Sequence, residues 1–225
     1  DCISAERIQE ELAKLLAAPQ PGAYLEPAVL AVVLPELTPA ALEAAKPVVD
    51  ACPAGEENLP VRWAALLGAL GEADTRRVLK RLRCANACIE ETAILVRETA
   101  GEGVSEENAP AHAPAHAGEV AIRQLLGRYG LCTVERLCAL CTALHPQTAP
   151  ACTFAAQRAR QLEAEGVCCR VSQLAVNGRD LMAAGIPAGP ALRRVLEALL
   201  DGVIRAEYPN EKSALLAAAQ KIIAS

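Results

Sequence analysis

Residues 174–204 read LAVNGRDLMAAGIPAGPALRRVLEALLDGVI, and the punctuation of this stretch decides the fold. Two turn-forming sites, Asn177-Gly178 and Pro187-Ala188-Gly189-Pro190, enclose a short apolar step between Asp180 and Ala184. Asn-Gly supplies a turn that admits a positive φ. Asp180 is placed to cap or hydrogen-bond the step, and Gly185 is placed to end it. Pro187 and Pro190 stiffen the second turn, and Pro190 stands where its fixed φ suits the first position of a helix. The pattern predicts a short helical step, a sharp turn and a longer helix from Pro190 to Ile204.

Working outward, the same grammar recurs along the chain. Ser4 caps a helix carrying Ile8, Leu12, Leu15 and Leu16 at helical spacing, which stops near Pro19. Helices are expected at 26–33 and, after a Thr38 cap, at 39–51 with a break at Pro47. The run from Arg62 to Leu70 is apolar on almost every side except Arg62 and predicts a central helix. A basic helix, TRRVLKRLR, starts at Asp74 or Thr75, and a longer one covers 87–99. Further helices are expected at 119–128, 133–144, 151–165 and 210–223. Nothing alternates at period two over a useful length, so the fold class is all-α, a multi-helix body followed by a smaller helical tail.

Composition sets the limits. Of 225 residues 52% are hydrophobic but only 2% aromatic, so the core must be built from Ala, Leu, Val and Ile, which favour helix. No apolar run reaches the ~18 residues of a membrane span, and a soluble protein with no membrane partner is expected. A net charge of −5 gives no global field for nucleic acid, so an RNA surface has to be local. The chain opens Asp-Cys-Ile-Ser without an initiating Met or a signal pattern, which reads as the remainder of something longer. Ten cysteines, most within helical periodicity, read as small apolar side chains of a reduced, cytoplasmic protein. Cys132, Cys138, Cys141 and His145 contain one metal-like Cys-x-x-Cys spacing but no second pair, and no metal site is expected. Residues 101–118, GEGVSEENAPAHAPAHAG, have linker composition, with His112 and His116 as solvent-facing loop residues.

Four ordered stretches carry a resemblance: ISAERIQEELAKLL (3–16), LPELTP (34–39), RWAALLGALGEADTRRVLKRLRCANACIEETAILV (62–96) and the tail LAVNGRDLMAAGIPAGPALRRVLEALLDGVIRAEYPNEKSALLAAA (174–219). The last is similar to the pattern L-x-I-x-G-x-D-L-x-x-x-G-x-x-P-G-P-x-x-G-x-x-L, followed by P-N at the last helix, of bacterial tRNA nucleotidyltransferases, the CCA-adding enzymes and their poly(A) polymerase relatives. Ala188 stands where that family usually has Pro, and Arg193 where it usually has Gly. The resemblance implies the end of a neck (1–20), a helical body (21–100), a linker (101–118), a connection (119–168) and a tail (169–225). It implies tRNA as partner, gripped at acceptor arm and elbow, and an N-terminal catalytic head, absent from this sequence, that uses Mg with CTP and ATP. No catalytic residue and no cofactor is expected within this chain. The implied neck-bracing residues are Glu6, Arg7, Glu10 and Lys14; on a solvated face Glu10 and Lys14 would instead make an ordinary helical pair.

Longer relatives carry a His-Asp phosphohydrolase signature where this sequence has Gly68 and Ala69, neither of which can bind metal through its side chain, so no phosphohydrolase activity is expected. The RNA-binding candidates are Arg76, Arg77, Lys80, Arg81 and Arg83 on the basic helix, with Arg76, Lys80 and Arg83 expected along one face. In the tail they are Asn177, Gly178, Arg179, Gly189, Arg193 and Arg194, where a helix start beside arginines suits a phosphate. The scarcity of aromatics argues against stacking on bases and makes duplex shape the feature read. The alternative is a helical protein-interaction scaffold that docks through apolar surface at Ile3 to Leu16.

Overall fold

The computed structural model describes residues 4–100 and 118–224. Among the described residues, twelve α-helices joined by short 3-10 turns, with no strand, make the protein all-α. They are α1 (Ala5–Ala17), α2 (Pro27–Val33), α3 (Pro39–Ala51), α4 (Leu59–Leu67), α5 (Gly71–Arg81), α6 (Asn86–Thr99), α7 (Glu119–Tyr129), α8 (Leu131–Leu144), α9 (Ala149–Ala164), α10 (Gly178–Ala183), α11 (Pro190–Ile204) and α12 (Lys212–Ala224). The helices divide into two compact units, residues 1–117 with 132–156, and residues 118–131 with 157–225. His112 and His116, and Ile3 of the expected docking surface, lie outside the described residues.

In the first unit most local signals act as read. Ser4 Oγ accepts from the Arg7 amide at 3.3 Å and Thr38 Oγ1 from the Ala41 amide at 3.2 Å, capping α1 and α3. The expected break at Pro47 does not occur, because α3 continues through it to Ala51. Pro47 removes one amide donor, yet Leu42, Ala45 and Val49 on either side of it are buried and hold the two halves of the helix in line. The basic helix also begins earlier than expected, at Gly71, and a 3-10 turn at Gly68–Leu70 separates it from α4.

α4 is the centre of this unit, with every residue from Pro60 to Leu67 buried. That includes Arg62, expected as the polar side of the helix but only 1% exposed. Its Nη1 donates to the carbonyls of Leu16 and Ala18 (2.7 and 2.6 Å), Nη2 to Cys52 (2.8 Å) and Nε to Pro53 (2.9 Å). Those carbonyls are the orphaned acceptors at the C-terminal ends of α1 and α3, where helix dipoles favour a cation. One guanidinium therefore ties two helix ends to the central helix.

In the second unit Leu174, Val176, Leu181, Ile186, Val195, Leu199 and Leu215 form one core shared by α10, α11 and α12. Arg123 of α7 donates to the carbonyls of Cys168 (3.1 Å) and Ile204 (2.9 Å), and Gln124 Nε2 to Asp201 Oδ1 (3.1 Å), so α7 is held to α11. Gly127 allows α7 to approach the chain at Cys169, whose carbonyl oxygen a Cβ at this position would overlap.

Candidate nucleic-acid interface

The quoted tail stretch folds around Asn177. Its Oδ1 accepts from the amides of Arg179 (2.9 Å) and Asp180 (3.1 Å), while Asp180 Oδ2 accepts from the Asn177 amide (3.0 Å). This reciprocal capping box starts α10. The turn needs no positive φ: Asn177 lies at −123°, and the left-handed positions are Gly185 (+93°) and Gly189 (+114°). The cap holds Asn177 in extended backbone, which any residue adopts, whereas the chain reversal after α10 falls on the two later glycines.

Asp180 has a second role. Its Oδ1 pairs with Lys212 Nζ at the start of α12. That pairing, followed by the Asn177 amide, holds the Asp180 carboxyl below its ordinary range. Asn210, from the Pro-Asn step, braces the same region: its Oδ1 accepts from the Ala175 amide (2.8 Å) and its Nδ2 donates to the Gln173 carbonyl (2.9 Å). Gly178 allows α10 to approach α11, since a Cβ would stand 3.2 Å from Leu192 Cδ2.

The result is a braced corner carrying three exposed arginines. Gly178 against Leu192 places Arg179 beside the first turn of α11, which bears Arg193 and Arg194. Arg193 Nε pairs with Glu197 at 2.8 Å, which raises its pKa, whereas Arg179 and Arg194 form no ion pair among the described residues. Gly189 sets the entry to α11, and its carbonyl already accepts from the amides of Leu192 (3.1 Å) and Arg193 (3.4 Å). Guanidinium groups, more than backbone amides, are what this helix start offers an anion.

The basic helix has a different balance. Arg76 pairs with Glu72 and Glu90, Arg77 with Asp74 (3.0 Å), Arg81 with Glu36 (2.9 Å) and Arg83 with Glu6 (2.7 Å). The Arg76 hydrogen bond holds Glu90 below its ordinary pKa, so that pair is fully ionised at neutral pH. Lys80 is exposed and makes no ion pair among the described residues. The expected alignment of Arg76, Lys80 and Arg83 along one face fails at its end: α5 stops at Arg81, and Arg83 has turned to φ +59°. Glu72 and Asp74 stand at helical spacing from Arg76 and Arg77, whereas Glu90, Glu36 and Glu6 are distant in sequence and helix spacing carries no signal for them.

The four residues implied to brace the neck divide similarly. Glu6 pairs with Arg83, and Lys14 pairs with Glu11 at 3.0 Å rather than with Glu10. Glu10 and Arg7 are exposed. The apolar side of α1 is not a free surface, because Leu12 and Leu16 are buried within the first unit. Outward apolar residues of this unit lie instead on and before α2, at Tyr24, Val29 and Val32, and on α9 at Phe154.

Two further sequence features have a place in the structure. Gly68 and Ala69 line an apolar cavity of about 210 Å³ with Val48, Val96 and Leu144. Of the metal-like spacing, Cys138 and Cys141 are buried and Cys132 is exposed, and no group of three or more His, Cys, Asp or Glu that could hold a metal ion occurs among the described residues. No helix among them is long and apolar enough to cross a membrane.

Comparison with known proteins finds similarity in the C-terminal part of the chain. Residues 128–219 match the family described as tRNA nucleotidyltransferase domain 2, putative. The CCA-adding enzyme of Levilactobacillus brevis is 53% identical over 45 residues, which is 20% of this chain and only 11% of that relative's length. No solved structure matches the chain.

Proposed function

We propose, from the premise that the C-terminal region is that of a tRNA nucleotidyltransferase, that this chain grips tRNA by shape while a catalytic head outside the sequence extends the 3′ end from CTP and ATP. The reaction at that end, addition of CCA or part of it, belongs to that head and its Mg ions. This chain's contribution is positioning, which requires cations aimed at phosphates and no base readout.

The observation that carries the reading is the corner at α10 and α11. Arg179 and Arg194 are exposed tail cations whose charge no described carboxylate cancels; Arg179 stands on the capped and braced start of α10 and Arg194 near the start of α11, which is entered through Gly189. The cations of α5 and Arg83 after it support a weaker contact, because four of the five are paired with acids. Lys80 is the member of that group with charge to spare.

The test is a titration of the chain against a folded tRNA and an unstructured RNA of equal length across a salt series. Folded tRNA should bind more tightly, with affinity falling steeply as salt rises. Charge reversal at Arg179 and Arg194 should weaken binding at every salt concentration and flatten the salt slope by about one unit for each phosphate no longer neutralised. Equal binding of both RNAs would remove the reading. The alternative, a protein-interaction scaffold, draws its support from the outward apolar residues Tyr24, Val29 and Val32. It would be favoured if tRNA failed to bind and charge reversal changed nothing.

A further inference from the structure

Arg123 fixes α7 within the second unit, and it also lines an open pocket of about 540 Å³ in that unit. Val167, Val203, Tyr208, Pro209 and Asn210 stand around it, so the lining is mostly apolar. The volume falls within the ~300–1,000 Å³ of small-molecule sites. The polar walls are anchored. The Tyr208 hydroxyl donates to the Ala198 carbonyl at 3.3 Å, and it lies so close to Gly202 that a Cβ there would overlap it. Asn210 is held by its bonds to Ala175 and Gln173, and Arg123 by the carbonyls of Cys168 and Ile204. A pocket whose polar side chains are already fixed takes a ligand without first having to order them.

The guanidinium in this pocket has neutral partners. Of the five N–H donors of an arginine, two are spent on carbonyls, and the Nε–H is buried without a hydrogen-bond partner among the described residues. One N–H on each Nη is left over. The thiols of Cys168 and Cys169 supply no counter-charge, because burial raises both against the pull of the guanidinium and keeps them protonated. The acids of this region are engaged elsewhere: Asp201 pairs with Arg205 at 2.7 Å and Glu163 with Arg170 at 3.5 Å. Glu207 also lines the pocket, but it is exposed and makes no ion pair among the described residues. A charge withdrawn from water is ordinarily matched by an opposite one, and no described residue matches Arg123.

We propose that this pocket binds a small organic acid, with its single oxyanion head against Arg123 and an apolar body against Val167, Val203 and Tyr208. A carboxylate or phosphate head offers acceptors to the N–H groups that the carbonyls leave over, and its charge balances the guanidinium. An apolar body that fills the pocket displaces water from around the pair, which strengthens it. Glu207 limits what can enter. Its carboxylate repels a second anionic group, so one charged head is preferred to a diphosphate or to a nucleic-acid strand. The site therefore does not rest on the RNA reading, whose cations are Arg179 and Arg194.

The test follows the backbone amide and arginine Nε–H resonances of the isotope-labelled chain during titration with phenyl phosphate and, separately, benzoate. The two probes share a body and differ in the head. At least one should give saturable shifts at the Arg123 Nε–H and at the amides of Cys168, Tyr208 and Asn210. Inorganic phosphate, the head alone, and phenol, the body alone, should each bind at least about tenfold more weakly. Two variants leave the bonds that hold Arg123 untouched. Ala206 lines the pocket, is exposed and lies at φ +57°, a region that Asp tolerates. Ala206→Asp should weaken binding about threefold by repulsion, and Glu207→Gln should strengthen it by a similar factor. The proposal is overturned if neither acid gives saturable shifts in the millimolar range, if the shifts are confined to Arg179 and Arg194, or if phenol binds as tightly as the acids. Unchanged affinity in both variants would overturn it as well.

Discussion

Replacing Arg62 with Met keeps the length and much of the volume of the side chain but removes the guanidinium that ties α1 and α3 to α4. Four carbonyls, at Leu16, Ala18, Cys52 and Pro53, are left without their donor. A hydrogen bond to a charged group contributes ~1.5–3 kcal/mol, so four could reach roughly 6–12 kcal/mol. Desolvating the buried guanidinium costs several kcal/mol in the folded protein and offsets part of that gain. Breaking one side of such an arrangement typically costs about 3–5 kcal/mol, and that is the expected destabilisation. For a unit of this size it corresponds to a fall in Tm of roughly 12–20 °C. The assay is urea unfolding followed by fluorescence of Trp63, the sole tryptophan and Arg62's neighbour on α4, 1% exposed. Arg62→Lys, which keeps the charge but not the fork of donors, should fall between the parent and the Met variant. A destabilisation below about 1 kcal/mol for Arg62→Met, at unchanged m-value, would refute the idea that this guanidinium holds the helix ends.

Other outcomes concern the second unit. Gly127→Ala should destabilise it by about 1–3 kcal/mol, because its Cβ must displace the Cys169 backbone; thermal unfolding by circular dichroism reads this, and an unchanged Tm would contradict it. Asn177→Ala removes the cap of α10 and should cost about 1 kcal/mol, checked by faster amide exchange at Arg179 and Asp180. The Asp180 carboxyl is held below its ordinary value of 3.8, chiefly by Lys212. A depressed acid stabilises the fold above that value and gives up the contribution as pH falls through the folded pKa. Acid unfolding followed below pH 4 should therefore show this protection in the parent and not in Asp180→Asn, and an identical acid profile would argue against the Lys212 pair. For RNA, charge reversal at Arg194 should weaken tRNA binding more than reversal at Arg77, which already pairs with Asp74; equal effects would argue against the tail corner as the principal contact.

What the sequence determined by itself was local. Ser4, Thr38, Asn177 and Pro190 mark helix starts because a cap or a fixed φ acts within three or four residues, and these elements stand where those signals put them. The all-α class follows from the same kind of signal, repeated along a chain with no period of two. The corner at Asn177 to Gly189 was legible as punctuation, with Asp180 and Gly185 in the roles expected of them. Tertiary structure decided what depends on residues remote along the chain. Arg62 is buried because helix ends at residues 16–18 and 52–53 present carbonyls to it. Arg83 is paired because Glu6 reaches it, and Arg81 because Glu36 does. A run of five cations looks uniform in sequence, yet among the described residues folding leaves only Lys80 of the five without an acid partner, and leaves Arg179 and Arg194 unpaired in the tail. Pro47 stays inside a helix because buried neighbours on both sides outweigh one missing hydrogen bond. Caps, periods and the pairs one helical turn apart are settled by forces along one stretch of chain, whereas burial and the pairing of Arg62, Arg81 and Arg83 depend on which distant surfaces meet, and local spacing carries no record of that.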